Sequence, residues 1–127
     1  MPTSLRSTHA GATFVIEHVE QGFARVRMKA DPRDTRPGGT ISGVAMFALA
    51  DFGVYVAVIG SLGEPGLAAV TSSLNINFLA KPEANDMTAM VKLIRLGRRL
   101  AVGEVELYSE GVPDMVARAT ANYALPL

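Results

Sequence analysis

The sequence predicts an α+β fold, a curved antiparallel sheet of about six strands wrapped around one long central helix. Two patterns predict it. From Val44 to Leu62 the chain is almost continuously apolar for nineteen residues, too long for a strand. On both sides of that run, hydrophobic residues recur at every second position in segments of about eight to twelve residues, bounded by Gly, Pro, Asp and Gln, as in half-buried strands. At 127 residues the chain can bury a sizeable core, and residues 1–127 are read as a single domain.

The elements follow in order. The N-terminal stretch MPTSLRSTHA leaves room for a short helix. ATFVIEHVE and FARVRMKA are strands separated by Gln21-Gly22, the spacing of a hairpin with a short turn. DPRDTRPGG is a loop, the helix comes next, and GSLGEPG is a second loop. Strict alternation in AVTSSLNINFLA sets Val70, Ser72, Leu74, Ile76 and Phe78 on one face and Thr71, Ser73, Asn75 and Asn77 on the other. MTAMVKLIRLG and RLAVGEVELYSE flank a turn at Gly97, and MVARATANYAL supplies the last strand. An antiparallel sheet whose concave face is filled by one apolar helix is the arrangement of the hotdog fold.

Composition removes several classes of function. Twelve Lys plus Arg balance twelve Asp plus Glu, so no overall field favours nucleic acid or an anionic membrane, and an anionic ligand must be met by local charge. The absence of cysteine excludes disulfides and thiolate chemistry and fits a cytoplasmic protein. The N-terminus lacks the apolar core of a signal peptide. Val44 to Leu62 reaches the length of a membrane span, but Asp51 at its centre costs about 2.5 to 3.5 kcal/mol on insertion, and no Lys or Arg anchors either end. A buried helix is the reading. His9 and His18 have no carboxylate or second His at ligand spacing, so no metal is expected. The RPGG run lacks the Lys-Ser/Thr ending of a phosphate loop.

Asp51 is the only charged residue between Arg36 and Glu64. A carboxylate in such a run loses hydration and requires a compensating partner or a use. A buried Asp that merely bonds a neighbouring amide is one answer. The surrounding residues offer another, because RPGGTISGVAMFALAD resembles the N-P-x-G-x-x-H-G-G-(x)6-D signature of hotdog acyl-CoA thioesterases of the phenylacetyl-CoA type. Pro37, Gly39, Gly43 and Asp51 fall on matching positions, while Arg36 replaces the family Asn and Ser42 the family His. AVTSSLNINFLAKP and GRRLAVGEVEL resemble that family's strand after the helix and its fifth-strand region, so the similarity spans roughly residues 12 to 125.

The resemblance implies a hotdog fold, an acyl-CoA substrate and no cofactor beyond the coenzyme A that the substrate carries. It implies Asp51 as the catalytic acid, Thr71 as a water-positioning hydroxyl, and a homo-oligomer, either a dimer with two sites or a dimer of dimers. It also implies that nucleotide phosphates settle near a turn such as Arg95, Arg98 and Arg99, with Lys81 a further candidate. As solvated turn charges these residues have an equally ordinary explanation.

The residues themselves carry the chemistry further. Hydrolysis of a thioester requires a nucleophile or a base for water, and donors for the oxyanion. Gly43 stands where the helix begins, with Thr40 or Ser42 as its cap, so its N–H is an unpaired donor at a positive dipole end. Asp51 serves as general base or nucleophile. Nine residues separate Ser42 from Asp51, about 13 Å along a helix, so one chain does not easily present both ends to one thioester. Two antiparallel helices across a two-fold axis do. Ser42 is either a cap or a carbonyl donor, and Arg36 either a solvated loop residue or a substitute donor. Phe47, Phe52 and Tyr55 are candidate walls of an acyl pocket. Three functional classes follow: an acyl-CoA thioesterase, an acyl-CoA-binding protein without turnover, and a hotdog hydratase or dehydratase. The last is disfavoured by the lack of His between residues 36 and 51.

Overall fold

The computed structural model describes residues 5–9, 12–32, 35–36 and 39–126. The central element is α1 (Gly43–Leu62), which starts at its cap Ser42 and ends where Gly63 donates its N–H to Ile59 O at 2.7 Å. The strands are β1 (Leu5–His9), β2 (Ala12–Glu20), β3 (Phe23–Met28), β4 (Thr35–Arg36), β5 (Thr40–Ile41), β6 (Val70–Phe78), β7 (Met87–Leu96), β8 (Leu100–Ser109) and β9 (Ala117–Ala124). A short 3-10 helix, Glu64–Ala68, follows α1.

Seven strands form one antiparallel sheet in the order β1-β2-β3-β7-β8-β9-β6. All six expected strands are present. The expected short helix at the N-terminus is instead β1, a seventh strand that pairs along β2. The DPRDTRPGG loop contains two rungs of order, because Thr35 and Arg36 pair with Ile41 and Thr40. Gly39 adopts φ 72° there, a left-handed conformation that closes the ribbon.

The core forms where α1 meets the inward face of the sheet. Val26 and Met28 of β3, Met87 and Val91 of β7, Val105 and Leu107 of β8 and Ala117, Ala119 and Ala121 of β9 form one core with Leu49, Val54 and Val58 of the helix, all fully or almost fully buried. Small residues set how closely the two layers approach. A Cβ at Gly53 would stand 2.8 Å from a Val91 methyl, and one at Gly103 would stand 3.0 Å from both methyls of Val54.

One sheet covers one side of a helix, and α1 is apolar on nearly all sides. Its first turns leave Val44 79% and Phe47 41% exposed. Edge strand β6 continues this apolar surface: Val70 and Phe78 are 61% and 52% exposed. A bulge between Thr71 and Ser73 corrects the expected alternation in that strand. Before the bulge Thr71 pairs with inward-facing Tyr123, and after it Leu74 and Ile76 pair with Ala121 and Ala119. Thr71 therefore joins Leu74 and Ile76 on the inward face, and Val70 is displaced from it.

The outward face of the sheet is a lattice of ion pairs. Arg27 bonds Glu17 at 2.8 Å and lies 3.4 Å from Glu110 and 3.7 Å from Asp86, which also takes Lys29 at 3.4 Å. The bond to Glu17 raises the affinity of Arg27 for its proton further. Arg25 and Arg118 pair with Glu17 and Glu104.

Gly53→Ala tests the helix-to-sheet spacing. The added methyl meets a β-branched side chain on a central strand, so overpacking exceeds the gain in helix propensity. Urea unfolding should show a loss of about 1 kcal/mol or more.

Candidate active site

Asp51 lies near the middle of α1, on the flank of the helix that faces the last strands of the sheet. Two hydroxyls from neighbouring strands converge on one of its oxygens. Thr71 Oγ1 donates to Asp51 Oδ1 at 2.7 Å, and Tyr123 Oη donates to the same oxygen at 2.6 Å while lying 2.9 Å from the Asp51 backbone carbonyl. Thr71 and Tyr123 are register partners across β6 and β9: regular alternation in β9 turns Tyr123 inward, and the bulge in β6 brings the Thr71 hydroxyl to the same carboxylate. Burial and the bond to Asp51 hold the Tyr123 hydroxyl well above the ordinary tyrosine range, with Thr71 pulling the other way, so it remains a donor through neutral pH. Oδ1 has both lone pairs occupied, and Oδ2 bonds no described residue.

The group opens into a hollow of about 430 Å³ lined by Phe52, Tyr55, Ala69, Val70, Thr71 and Tyr123. Phe52 stacks on Phe14 with centroids 4.6 Å apart, and Tyr55 stacks on Tyr123 at 6.2 Å. The Tyr55 hydroxyl donates to Leu67 O at 2.7 Å and so ties the 3-10 helix beside the hollow. Oδ2 and this aromatic wall together suit a small reacting group held next to an apolar chain.

The other candidate residues occupy different places. At the start of α1, Ser42 Oγ accepts from Ala45 N at 3.1 Å and Ser42 O from Met46 N at 3.2 Å. The N–H groups of Gly43 and Val44 have no acceptor among the described residues and stand at the positive end of the helix dipole. The Phe78 ring lies over Gly43, where an added Cβ would come within 3.2 Å of it. Gly43 and Asp51 are eight residues apart on one helix, about 12 Å along its axis. Phe47 belongs to the helix start rather than to the hollow. Gly39 closes the β4-β5 ribbon, whereas Pro37 and the side chain of Arg36 lie outside the described residues.

Arg95, Arg98 and Arg99 surround an open hollow of about 520 Å³ at the β7-β8 turn. None of the three pairs with a described carboxylate, unlike the arginines of the outward face. Strand register sets this turn beside the Asp51 hollow: Thr71, Tyr123 and Ala101 form one rung, Val70, Ala124 and Leu100 the next. Leu125 N bonds Arg99 O at 2.9 Å and fixes the turn to the end of β9. Lys81 follows the other end of β6 and is exposed there, a full strand length away. His18 is engaged with Glu20 at 2.6 Å, and the side chain of His9 is outside the described residues. No group of three potential metal ligands occurs among the described residues.

Tyr123 is absent from the sequence reading, although a signal for it exists. The inward face of β9 reads Ala117, Ala119, Ala121, Tyr123. One phenol closing a row of alanines, only 3% exposed, requires a partner for its hydroxyl.

Comparison with known proteins agrees with this architecture. Residues 38–115 match the model of the thioesterase superfamily. A crystal structure from Silicibacter sp. TM1040, provisionally designated a thioesterase, is 41% identical, with TM-score 0.80 over 90% of this chain and 79% of that one. A point mutant of the phenylacetic acid degradation protein PaaI from Thermus thermophilus is 26% identical, with TM-score 0.77 over 89% of this chain and 93% of its own. A Saccharolobus solfataricus protein provisionally designated an esterase is 28% identical over 110 residues, 86% of this chain and 71% of that protein. The family match extends over more than half of the chain, which belongs to the thioesterase superfamily and is a thioester hydrolase of the PaaI-like hotdog type.

Ser42→Ala separates capping from catalysis. Because Ser42 Oγ satisfies Ala45 N, the variant should lose about 1 kcal/mol of stability in thermal or urea unfolding while turnover changes little. A large fall in turnover at unchanged stability would make Ser42 a transition-state donor instead.

Proposed function

We propose that the protein is an acyl-CoA thioesterase in which Asp51 activates water against the thioester carbonyl. The observation that carries the reading is the Asp51 carboxylate, held by two hydroxyls on Oδ1, with Oδ2 bonded to no described residue, in the lining of a largely apolar hollow. Oδ2 takes a proton as water adds to the carbonyl carbon. The tetrahedral oxyanion is stabilised by the N–H of Gly43, and its collapse breaks the C–S bond. The proton on Asp51 passes to the departing thiolate, leaving free acid and coenzyme A. Direct attack by Oδ2, with an acyl-enzyme resolved by water, uses the same atom and the same donors.

In this reading Gly43 comes from a second copy of the chain, since about 12 Å of helix divides Gly43 from Asp51 in one subunit. The apolar surface of Val44, Phe47, Val70 and Phe78, beside edge strand β6, supports a two-fold homodimer that sets one helix start against the other helix's Asp51. Phe52 and Tyr55 flank the acyl group. Arg95, Arg98 and Arg99, without a described carboxylate partner and at the same end of the sheet, meet the phosphates of coenzyme A. No cofactor is required, and a cysteine-free chain is in keeping with action in the cytoplasm.

Asp51→Asn keeps the size of the side chain and removes the charge. Thiol release from a panel of acyl-CoAs should fall to background with the fold retained; turnover at the parent rate would exclude the carboxylate from the chemistry.

The shared site also requires association. Sedimentation equilibrium at micromolar concentration should give at least twice the mass of one chain, and an active monomer would refute the shared arrangement.

A further inference from the structure

We propose that Tyr123 is a positioning residue for the Asp51 carboxylate, selecting Oδ2 as the oxygen that reacts. The inference rests on the thioesterase reading and adds to it a residue outside the motif at the helix start. Its ring is 3% exposed and packed on Tyr55, a role that phenylalanine would fill equally well. What the hydroxyl adds is specific to Asp51. It lies 2.6 Å from Oδ1 and 2.9 Å from the Asp51 backbone carbonyl, beside the Thr71 hydroxyl that shares Oδ1.

The geometry has a chemical consequence. A carboxylate swings about its Cβ–Cγ bond, and a reacting carboxylate that swings spends much of its time misdirected. Thr71 alone, one donor on an exposed edge strand, leaves that rotation open. A second donor from β9, a strand paired on both sides, fixes Oδ1 toward the sheet. Oδ2, which bonds no described residue, is then the oxygen left for a reacting group in the hollow that Asp51 lines. Both donors are neutral, so they orient the carboxylate without supplying a counter-charge.

Tyr123→Phe is the test, because it keeps the ring and removes only the oxygen. The expected result is a kcat about ten- to a hundredfold lower, the size of one hydrogen bond to a charged group, with KM within about twofold and the unfolding transition still cooperative. A parallel urea-unfolding cycle with Asp51→Ala reads the bond without activity: the cost of Tyr123→Phe should shrink when Asp51 is already gone. Parent kcat in Tyr123→Phe overturns the proposal and leaves the thioesterase reading intact. Additive costs in the cycle also overturn it, because the rate loss would then not pass through Asp51. A parent protein that releases no thiol from any acyl-CoA overturns the thioesterase reading, and this proposal with it.

Discussion

A helix of twenty residues that is apolar on nearly every side has to be covered on every side, and a single sheet covers only one. Most of the molecule follows from that constraint. Strands β2, β3, β7 and β8 take the buried side of α1, with Gly53 and Gly103 allowing the two layers to approach closely. The uncovered side keeps Val44 and Phe47 at the surface next to edge strand β6, whose Val70 and Phe78 are exposed as well. In the proposed dimer a second copy completes the cover. Burial and catalysis then have one cause, since the contact that hides the apolar surface also brings a helix start to the carboxylate.

The carboxylate itself is tolerable only because its partners come from the sheet. Within α1 no side chain bonds Asp51; the donors Thr71 and Tyr123 stand on β6 and β9. Tyr123 faces inward by regular alternation along β9, but Thr71 depends on a local irregularity. Without the bulge after Thr71, a period of two would turn this threonine to the outward face with Ser73 and Asn75. A one-residue defect in an edge strand thus supports the central polar group of the site.

Charge is distributed with a similar division. On the outward face, arginines and a lysine are neutralised by Glu17, Asp86, Glu104 and Glu110, where they tie neighbouring strands together. At the β7-β8 turn three arginines have no such partners among the described residues, although the chain as a whole is neutral. A cationic cluster of this kind, at the end of the sheet that holds Asp51, is the local charge that a phosphorylated ligand requires.

The sequence by itself determined the helix, the six principal strands and the position of Asp51, because these depend on hydrophobic period and on breakers, which act over a few residues. It also offered Ser42 as a cap and Phe47, Phe52 and Tyr55 as candidate walls; the structure caps the helix with Ser42 and sets Phe52 and Tyr55, but not Phe47, around the hollow beside Asp51. The family motif directed attention to Asp51 and Thr71 without reaching their geometry. Only the tertiary structure decided that β1 is a strand, that the bulge turns Thr71 inward, and that Tyr123 reaches a residue seventy-two positions earlier in the chain. Each of these is set by pairing between distant segments. A bulge is invisible to strict alternation, and a strand partner is chosen by the sheet as a whole rather than by any run of residues that contains it.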